Sequence, residues 1–539
     1  MNLIALTPLL LTAIFIIGCG EEEKKENDLT TKVTTPTVQE KNSTQEVPTQ
    51  KIPDTQINSE LTMTFSRISM PSLDTIKVNV SLKSDTTSLS PTVNHGQLTN
   101  VTRHSPRQYS FEIIPDITGE YKINISHNQN TYKRTALVLQ DVDDEWEQPL
   151  MVEGFVNTEG YEDGVTITPD GEYIFVQTGP YRLSSVFVFA ESRDKGGCGG
   201  HRLIPSKCEH PWVNKLIGTY TAPKRPNFFD GRFSGENYLN NSHSWGLKEN
   251  ETPNFALSTM FYGFKKQSDG SFKEPFYMAF DDLNDAISGP FGLSFLKLSD
   301  KKYSTIFSLK DISTTDFGFD VYQYNAIFEE NNILGHYEKS GNGNPPNRTQ
   351  NFASKAINFG NNSGTQGNPF LYAKNSKALS IWSDNEYDSL CDENSDRNKI
   401  SVQVLNSGEY ITSSDWTKVV LPTNVNNTNS ESRQPTFVNN RLYFTQNINI
   451  VTSTFNAEHT ATNLANNSNW TKSKIILQKD TTITAIQADI GKIFVVGEPT
   501  IAIVDSKEIL YFVYGYIRGI DPLTGILDVE TQAGYIRHR

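Results

Sequence analysis

Helical periodicity is almost absent from this chain of 539 residues, and so is any apolar run long enough to cross a membrane comfortably. The longest such stretch, Leu3 to Ile17, is too short for a span and right for the apolar part of an export signal. Positive charge is also scarce, with 48 Lys and Arg against 62 Asp and Glu, a formal net charge of -14. That balance argues against a nucleic-acid partner, whose binding rests on cations neutralising phosphates. The opening MNLIAL has no Lys or Arg, so the positive start of an export signal is reduced to the α-amino group. No nucleophile elbow, phosphate-binding glycine loop or zinc-protease helix motif occurs anywhere. What is abundant instead is aromatic side chains, at 11%, with 35 Gly, 25 Pro and many Asn, Ser and Thr, the vocabulary of strands and turns. An all-β fold is expected, and the length exceeds one ordinary core, so more than one domain is expected too.

The apolar start ends in FIIGCG, which resembles the lipobox of bacterial lipoproteins, where small residues precede a cysteine that is lipidated and becomes the mature first residue. The resemblance makes residues 1–18 a signal peptide and Cys19 the lipid attachment point, so the partner implied is a membrane. Several acyl chains anchor firmly, because each buried methylene contributes about 0.8 kcal/mol and one chain alone is marginal. Residues 19–60, charged at first and then rich in Thr, Pro and Gln, have almost nothing to bury and read as a disordered stalk. The resemblance to envelope lipoproteins, with Gly20 after the cysteine, points to the outer membrane, on its periplasmic face or at the cell surface.

From Leu61 to Gln140 the text alternates apolar and polar residues between closely spaced turns, as in LTMTFSRI, TIKVNVSL and GEYKINISH. This predicts a small β-sandwich. The segment PDITGEYKINISHNQNTYKRTALVL resembles the last strands of bacterial Ig-like domains, with a tyrosine following a glycine turn as the chain re-enters the core.

A longer grammar repeats after that. ESRQPTFVNNRLYFTQ, beginning at Glu431, has a polar lead-in, a proline strand, a turn at Asn439-Asn440 and an aromatic strand. The same order recurs in GYEDGVTITPDGEYIFVQ, GEPTIAIVDSKEILYFVYGY and, more weakly, GNPFLYAKNSKALSIWSD and SGPFGLSFLKLSDKKYSTIFS. The lead-in prolines Pro369, Pro435 and Pro499 are about 65 residues apart, a length that fits one propeller blade with generous loops. A second piece precedes each copy and opens on Trp146, Trp416 or Trp470, with Phe272 in the remaining one. These residues resemble the WD40-like β-propeller repeat of TolB-like periplasmic proteins, over roughly Asp144 to Arg539. The repeat implies a five-bladed propeller over 144–539, with six blades as the alternative and a loop insertion at about 191–251. The C-terminal copy lacks a Trp strand and the first copy has one to spare, so the residues around Trp146 are expected to complete the last blade.

Several residues carry candidate chemistry. Cys198, His201, Cys208 and His210 in the insertion have the donor types of a zinc site, but their spacing matches no known finger. In an oxidising compartment a Cys198–Cys208 disulfide is the favoured reading, contributing on the order of 3 kcal/mol and leaving Cys391 unpaired. Asp384, Glu386, Asp388 and Asp392 form an oxygen-rich loop of the kind that holds calcium, or a solvated acidic loop. No other cofactor is implied. Propeller faces bind through loops held by a rigid ring, and Tyr181, Trp245 and Trp382 are candidate stacking surfaces for a protein or glycan. The leading expectation is therefore a lipid-anchored envelope protein whose propeller binds a protein partner or glycan without catalysis. The alternative is a glycoside hydrolase-like enzyme with carboxyl groups in the central funnel, for which Asp163, Asp320 and Glu498 are the candidates by blade position. Against it, Glu162, Glu431 and Glu498 fall in the lead-in of the repeat, which accounts for them without catalysis.

Overall fold

The computed structural model describes residues 61–66, 75–157, 161–179, 260–277, 291–300, 302–310, 319–329, 332–333, 355–357, 359, 367–384, 399–482, 489–520 and 527–539. The signal peptide, the stalk, the insertion, Cys19, Cys198, His201, Cys208, His210, Cys391, Tyr181, Trp245, Glu386, Asp388 and Asp392 lie outside the described residues. Within them the all-β class holds, since helix is confined to the single turns Ala461–Leu464 and Asn467–Asn469.

Five antiparallel sheets follow one another along the chain. Ring sheet one is built from Tyr161–Ile167, Tyr173–Gly179, Met260–Lys266 and Phe272–Tyr277, and ring sheet two from Phe291–Ser299, Lys302–Lys310, Phe319–Glu329 and Asn332–Ile333. Ring sheet three has Gly367–Lys374, Lys377–Asp384, Ile400–Leu405 and Trp416–Val420, and ring sheet four has Ser432–Val438, Arg441–Gln446, Asn449–Thr454 and Lys474–Gln478. Ring sheet five starts with Ile493–Val504, Lys507–Ile520 and Leu527–Arg537. The first strand of each sheet packs against the first strand of the next, and that of sheet five packs against that of sheet one. The five first strands therefore close a circle. Their hairpins turn tightly because Asn375-Ser376, Asn439-Asn440 and Asp505-Ser506 all adopt positive φ, the backbone that matches the twist of paired strands.

Closure uses the segment that precedes the ring. Leu150–Met151 pairs with Leu527–Arg537 as the fourth strand of sheet five, and Trp146 bridges His538. The same segment adds Asp141–Val142 to the outer edge of sheet four, while Gly154 bridges Phe272 on the outer strand of sheet one. Three sheet edges that would otherwise offer unpaired backbone are thus covered by fewer than twenty consecutive residues. Gly154 has φ +105, and a Cβ there would meet the Phe272 carbonyl oxygen at 1.9 Å, so this close approach needs glycine. Trp416 opens the outermost strand of sheet three, Trp470 precedes that of sheet four and Phe272 opens that of sheet one.

The N-terminal residues form two facing sheets. One has the order Leu61–Phe65, Ile76–Leu82, Gln108–Ile114, Gln97–Ser105, and it encloses a core of Val78, Val80, Phe111, Ile113, Tyr121 and Ile123. The other, Asn130–Val138, Gly119–His127 and Ser90–Val93, continues without a break from ring sheet five through Leu150–Met151. The Tyr121 hydroxyl accepts from the Asp116 and Ile117 amides, tying the core tyrosine to the loop the chain has just left. Thr118 Oγ1 donates to Asp480 Oδ2 at 2.7 Å and the Tyr514 hydroxyl to Glu120 Oε1 at 2.7 Å, so buried polar bonds tie the N-terminal residues to the ring.

Candidate functional site

Every first strand of the ring carries a β-bulge near its start. The register shifts between Asp163 and Thr166, Phe291 and Leu293, Gly367 and Phe370, Arg433 and Thr436, and Gly497 and Thr500. At each bulge one residue takes positive φ: Gly164, Gly292, Asn368, Gln434 and Glu498. The last three are followed by the repeat's prolines, and each is a non-glycine residue in a backbone well that costs about 1–3 kcal/mol. Glycine is required in sheet two, where a Cβ on Gly292 would come within 2.7 Å of the Asn368 Cα.

Side chains lace these bulges around the axis. Asn368 Nδ2 donates to Asp384 Oδ2 at 3.1 Å, and the Gln434 amide donates to the same oxygen at 2.9 Å. Gln434 Nε2 donates to Glu498 Oε1 at 2.8 Å, and the Gly164 amide to Glu498 Oε2 at 2.5 Å. Thr445 Oγ1 fixes the Gln434 carboxamide by donating to its oxygen at 2.7 Å. Two residues beyond each bulge a hydroxyl makes a second bond to the next sheet. Thr166 donates to the Leu293 carbonyl, Thr436 donates to the Pro499 carbonyl, Ser294 accepts from the Leu371 amide and Thr500 accepts from the Ile167 amide. Sheet three has Phe370 at this position, and there the link to sheet four runs through Asp384 and Gln434 instead.

The laced residues form the floor of an axial cavity of about 710 Å³. Its walls are the remaining halves of the first strands; Phe370 and Tyr372 are half-buried there, while the side chains of Leu293, Phe295 and Phe437 are buried between the sheets. Its far rim is the hairpin turns with Asn375, Ser376, Asn439 and Asn440, together with Lys297 and Lys374. Lys297 is neutralised by Asp170 at 2.7 Å, which also accepts from the Tyr303 hydroxyl at 2.7 Å. Burial works to raise the Asp170 carboxyl, but bonds from Lys297, Tyr303 and Thr168 outweigh it and hold the group below its ordinary range.

Three carboxyl groups belong to the lace, and of these only Glu498 lines the cavity. Glu498 is on the cavity wall, and Asp163 and Asp384 sit behind it. Asp163 bonds to the Glu498 carboxyl; burial raises its own affinity for a proton, against the lowering effect of that bond and of the Gly164 amide. Asp163 keeps part of its surface open yet has protein on nearly every side, and the dense surroundings decide the direction. Asp384 is fully buried and is likewise pushed up by burial, against the Gln434 amide, Asn368 and the field of Arg433. Its Oδ1 has no hydrogen-bond partner among the described residues. Gln434 bridges Asp384 Oδ2 and Glu498 Oε1, through its backbone amide and its side-chain Nε2.

No family model matches the sequence, and no curated protein matches it. Among solved structures, the chain is similar to the crystal structure of an alpha-L-arabinofuranosidase from Lactobacillus brevis, at 13% identity and a TM-score of 0.22, over 45% of this chain and 90% of that one. It is also similar to a glycoside hydrolase of family 32 from Bifidobacterium adolescentis, at 10% identity and a TM-score of 0.20, over 88% of this chain and 66% of that one. Likeness at these TM-scores carries no argument, so the functional reading rests on the geometry.

That geometry brings Asp163 and Glu498 together and separates them from Asp320. Asp320 is on the third strand of ring sheet two, opposite Leu309, two strands out from the axis. Trp382 is no stacking surface: it is wholly buried, stacked on Phe437 with ring centroids 4.5 Å apart, and packs the boundary between sheets three and four. It faces inward because its place on the second strand points at the neighbouring sheet. Asp384, expected in an oxygen-rich calcium loop, instead ends a strand and bonds into the floor. No group of three His, Cys, Asp or Glu suited to a metal occurs among the described residues. The acids of the lead-in do not share one position either. Glu498 is in the bulge, Glu162 is buried two residues ahead of the equivalent Gly164, and Glu431 is exposed beside Arg433. Sequence reasoning missed Gln434 and Asn368, whose signal was the residue before proline in each copy: Asn-Pro, Gln-Pro, Glu-Pro.

Proposed function

We propose that the chain is an exported, lipid-anchored envelope protein in which a five-bladed β-propeller, fused to an Ig-like sandwich, takes a neutral carbohydrate into its axial cavity. The observation that carries this reading is the composition of the cavity: the half-buried rings of Phe370 and Tyr372, a floor with the carboxamides of Asn368 and Gln434 and the carboxylate of Glu498, and a rim of Asn and Ser with Lys374 and the Asp170-paired Lys297. Sugars present apolar faces that stack on rings such as Phe370 and Tyr372, and hydroxyls that need the donors and acceptors found at the two ends. Burial raises the Tyr372 phenol, which therefore stays a hydrogen-bond donor. Oligosaccharide binding measured by calorimetry tests the reading. Tyr372→Ala should weaken binding at least about tenfold, equivalent to roughly 1.4 kcal/mol. Absence of binding across a panel of neutral oligosaccharides, or binding indifferent to Tyr372, would sink it.

A second reading, hydrolysis of a glycosidic bond, is favoured by the three carboxyl groups at the floor. Paired carboxyls serve that chemistry at separations of roughly 5 to 9.5 Å. Asp163 and Glu498 touch and so count as one unit, which would leave Asp384 as its counterpart across Gln434. The carboxyl arrangement, and not the loose likeness to two glycosidases, supports this reading. Release of reducing sugar that Glu498→Gln abolishes while binding persists would establish it; binding without release leaves the protein a carbohydrate receptor. The anchor is tested separately by labelling with a fatty-acid analogue, which should mark the wild type and not Cys19→Ser.

A further inference from the structure

The seam between ring sheets one and five joins the ends of the repeat array, and its inner edge holds an unusual contact. The carboxyl group of Asp163, from Tyr161–Ile167, is hydrogen-bonded to that of Glu498, from Ile493–Val504. Two carboxylates cannot hydrogen-bond to each other, because an ionised carboxyl only accepts. A bond between them therefore requires a shared proton.

Neither group is free to avoid the other. Glu498 is held by the Gly164 amide on Oε2 and Gln434 Nε2 on Oε1, and its own amide donates to Thr445 Oγ1 at 2.9 Å. Its backbone sits at φ +56, just ahead of Pro499. Asp163 immediately precedes Gly164 and shares its bulge. The neighbourhood is acidic on most sides. Glu162 adjoins Asp163 on its own strand, and Glu530 comes from Leu527–Arg537 with Arg518 of Lys507–Ile520 paired to it. Tyr514 and Tyr516 come from Lys507–Ile520, and Arg433 and Asp384 lie beyond Gln434. Across the sheet from Asp163 is uncharged Gln177, and the facing first strand of sheet two starts with Phe291 and Gly292.

We propose that Asp163 and Glu498 share a single proton and form a latch between the first and last sheets, closed while the proton is held and loosened when it leaves. The latch is independent of what the cavity binds. On losing the proton, the pair carries two adjacent negative charges at the cavity floor, and with Glu498 held in place their repulsion is relieved by Asp163 and its strand moving away. Burial of Asp163 acts in the same sense, holding its carboxyl above the ordinary range. A carboxyl raised in the folded state contributes stability that is complete below its unfolded value and is lost as pH climbs through the folded value.

The test compares thermal midpoints of the unliganded full-length wild type and Asp163→Asn between pH 4 and pH 9. Asparagine keeps a donor toward Glu498 without an ionisation. The midpoint of the variant relative to wild type should rise with pH, the gap widening by at least about 3 °C between the extremes. A gap that is constant, or that widens toward acid, overturns the latch. As a measurement on wild type itself, carboxyl infrared or carbon NMR should show one protonated carboxyl persisting above pH 6 that is absent in Asp163→Asn; its absence from wild type overturns the proposal. Recovery of alkaline stability by millimolar calcium would identify the pair as a cation site and equally overturn proton sharing.

Discussion

Replacing Trp146 by alanine asks most directly how the ring closes. The indole is 1% exposed and meets Tyr443 edge-on at 6.1 Å and His538 at 5.1 Å between centroids. It packs in one cluster with Leu477, Ile501, Phe512 and Ile536, so it touches sheets four and five together. Truncating a buried tryptophan costs about 3–5 kcal/mol, a range that already includes much of the ring–ring attraction. The backbone consequence adds to this. Trp146 starts the segment in which the Glu147 amide donates to the Arg537 carbonyl and the Val152 amide to the Ala533 carbonyl, and without its anchor that short strand frays. Trp146→Ala should lower the stability of the ring by about 4 kcal/mol. Amide exchange should accelerate locally in 146–152 and 533–538, with Ile76–Leu82 in the far N-terminal sheet little changed. Denaturant titration gives the first quantity and exchange mass spectrometry the second. A loss under about 1 kcal/mol, or acceleration spread evenly over the chain, would refute the idea that this segment holds the ring shut.

Two other perturbations follow from single contacts. Gly292→Ala should destabilise by several kcal/mol, since φ is +56 and its Cβ would press to 2.7 Å on the Asn368 backbone; a midpoint within about 1 °C of wild type would show that the bulge can shift at little cost. His459 packs against Tyr372, Phe437 and Phe455, and burial lowers its pKa to about 4. A depressed histidine contributes stability present above its unfolded value near 6.5 and lost as pH falls toward 4, at most on the order of 3 kcal/mol. Stability measured from pH 7 to pH 4 should therefore decline less in His459→Gln than in wild type, and parallel curves would count against the assignment.

Much of the ring was legible because its grammar is local. Turns such as Asn439-Asn440 announce themselves by residues that tolerate positive φ, and the aromatic second strands by alternation. The spare Trp146 strand was legible from a mismatch between the two ends of the array, and the structure gives it its partner in Leu527–Arg537. What was not legible is anything set by contacts between copies. Trp382 looks like a surface ring in sequence, and only the neighbouring sheet, through Phe437, shows that it is packing. Asp320 shares ring sheet two with the cavity lining but not its first strand, a distinction the acidic residue type does not encode. The continuous sheet joining the N-terminal module to ring sheet five depends on Ala136 meeting Leu150, a pairing that no local pattern signals.

The repeat also supplies its own control for function. Where five equivalent positions do the same work, the fold explains them; where one departs, something else must. The bulge holds Gly164, Gly292, Asn368 and Gln434, all neutral, and then Glu498. The position before it holds Asp163, Phe291, Gly367, Arg433 and Gly497, so the acid in sheet one has no counterpart. Opposite that position on the second strands are Gln177, Ser308, Asp384, Thr445 and Val513, and again one acid stands apart. A carboxamide at position 498 would keep the bond to the Gly164 amide and avoid a buried charge, as Gln434 does in the preceding sheet. Retaining three acids within one floor, against the desolvation each one meets, is costly for a purely structural lace. Their departure from the repeat, more than their number, marks this floor as the part of the ring that the shared lace does not account for.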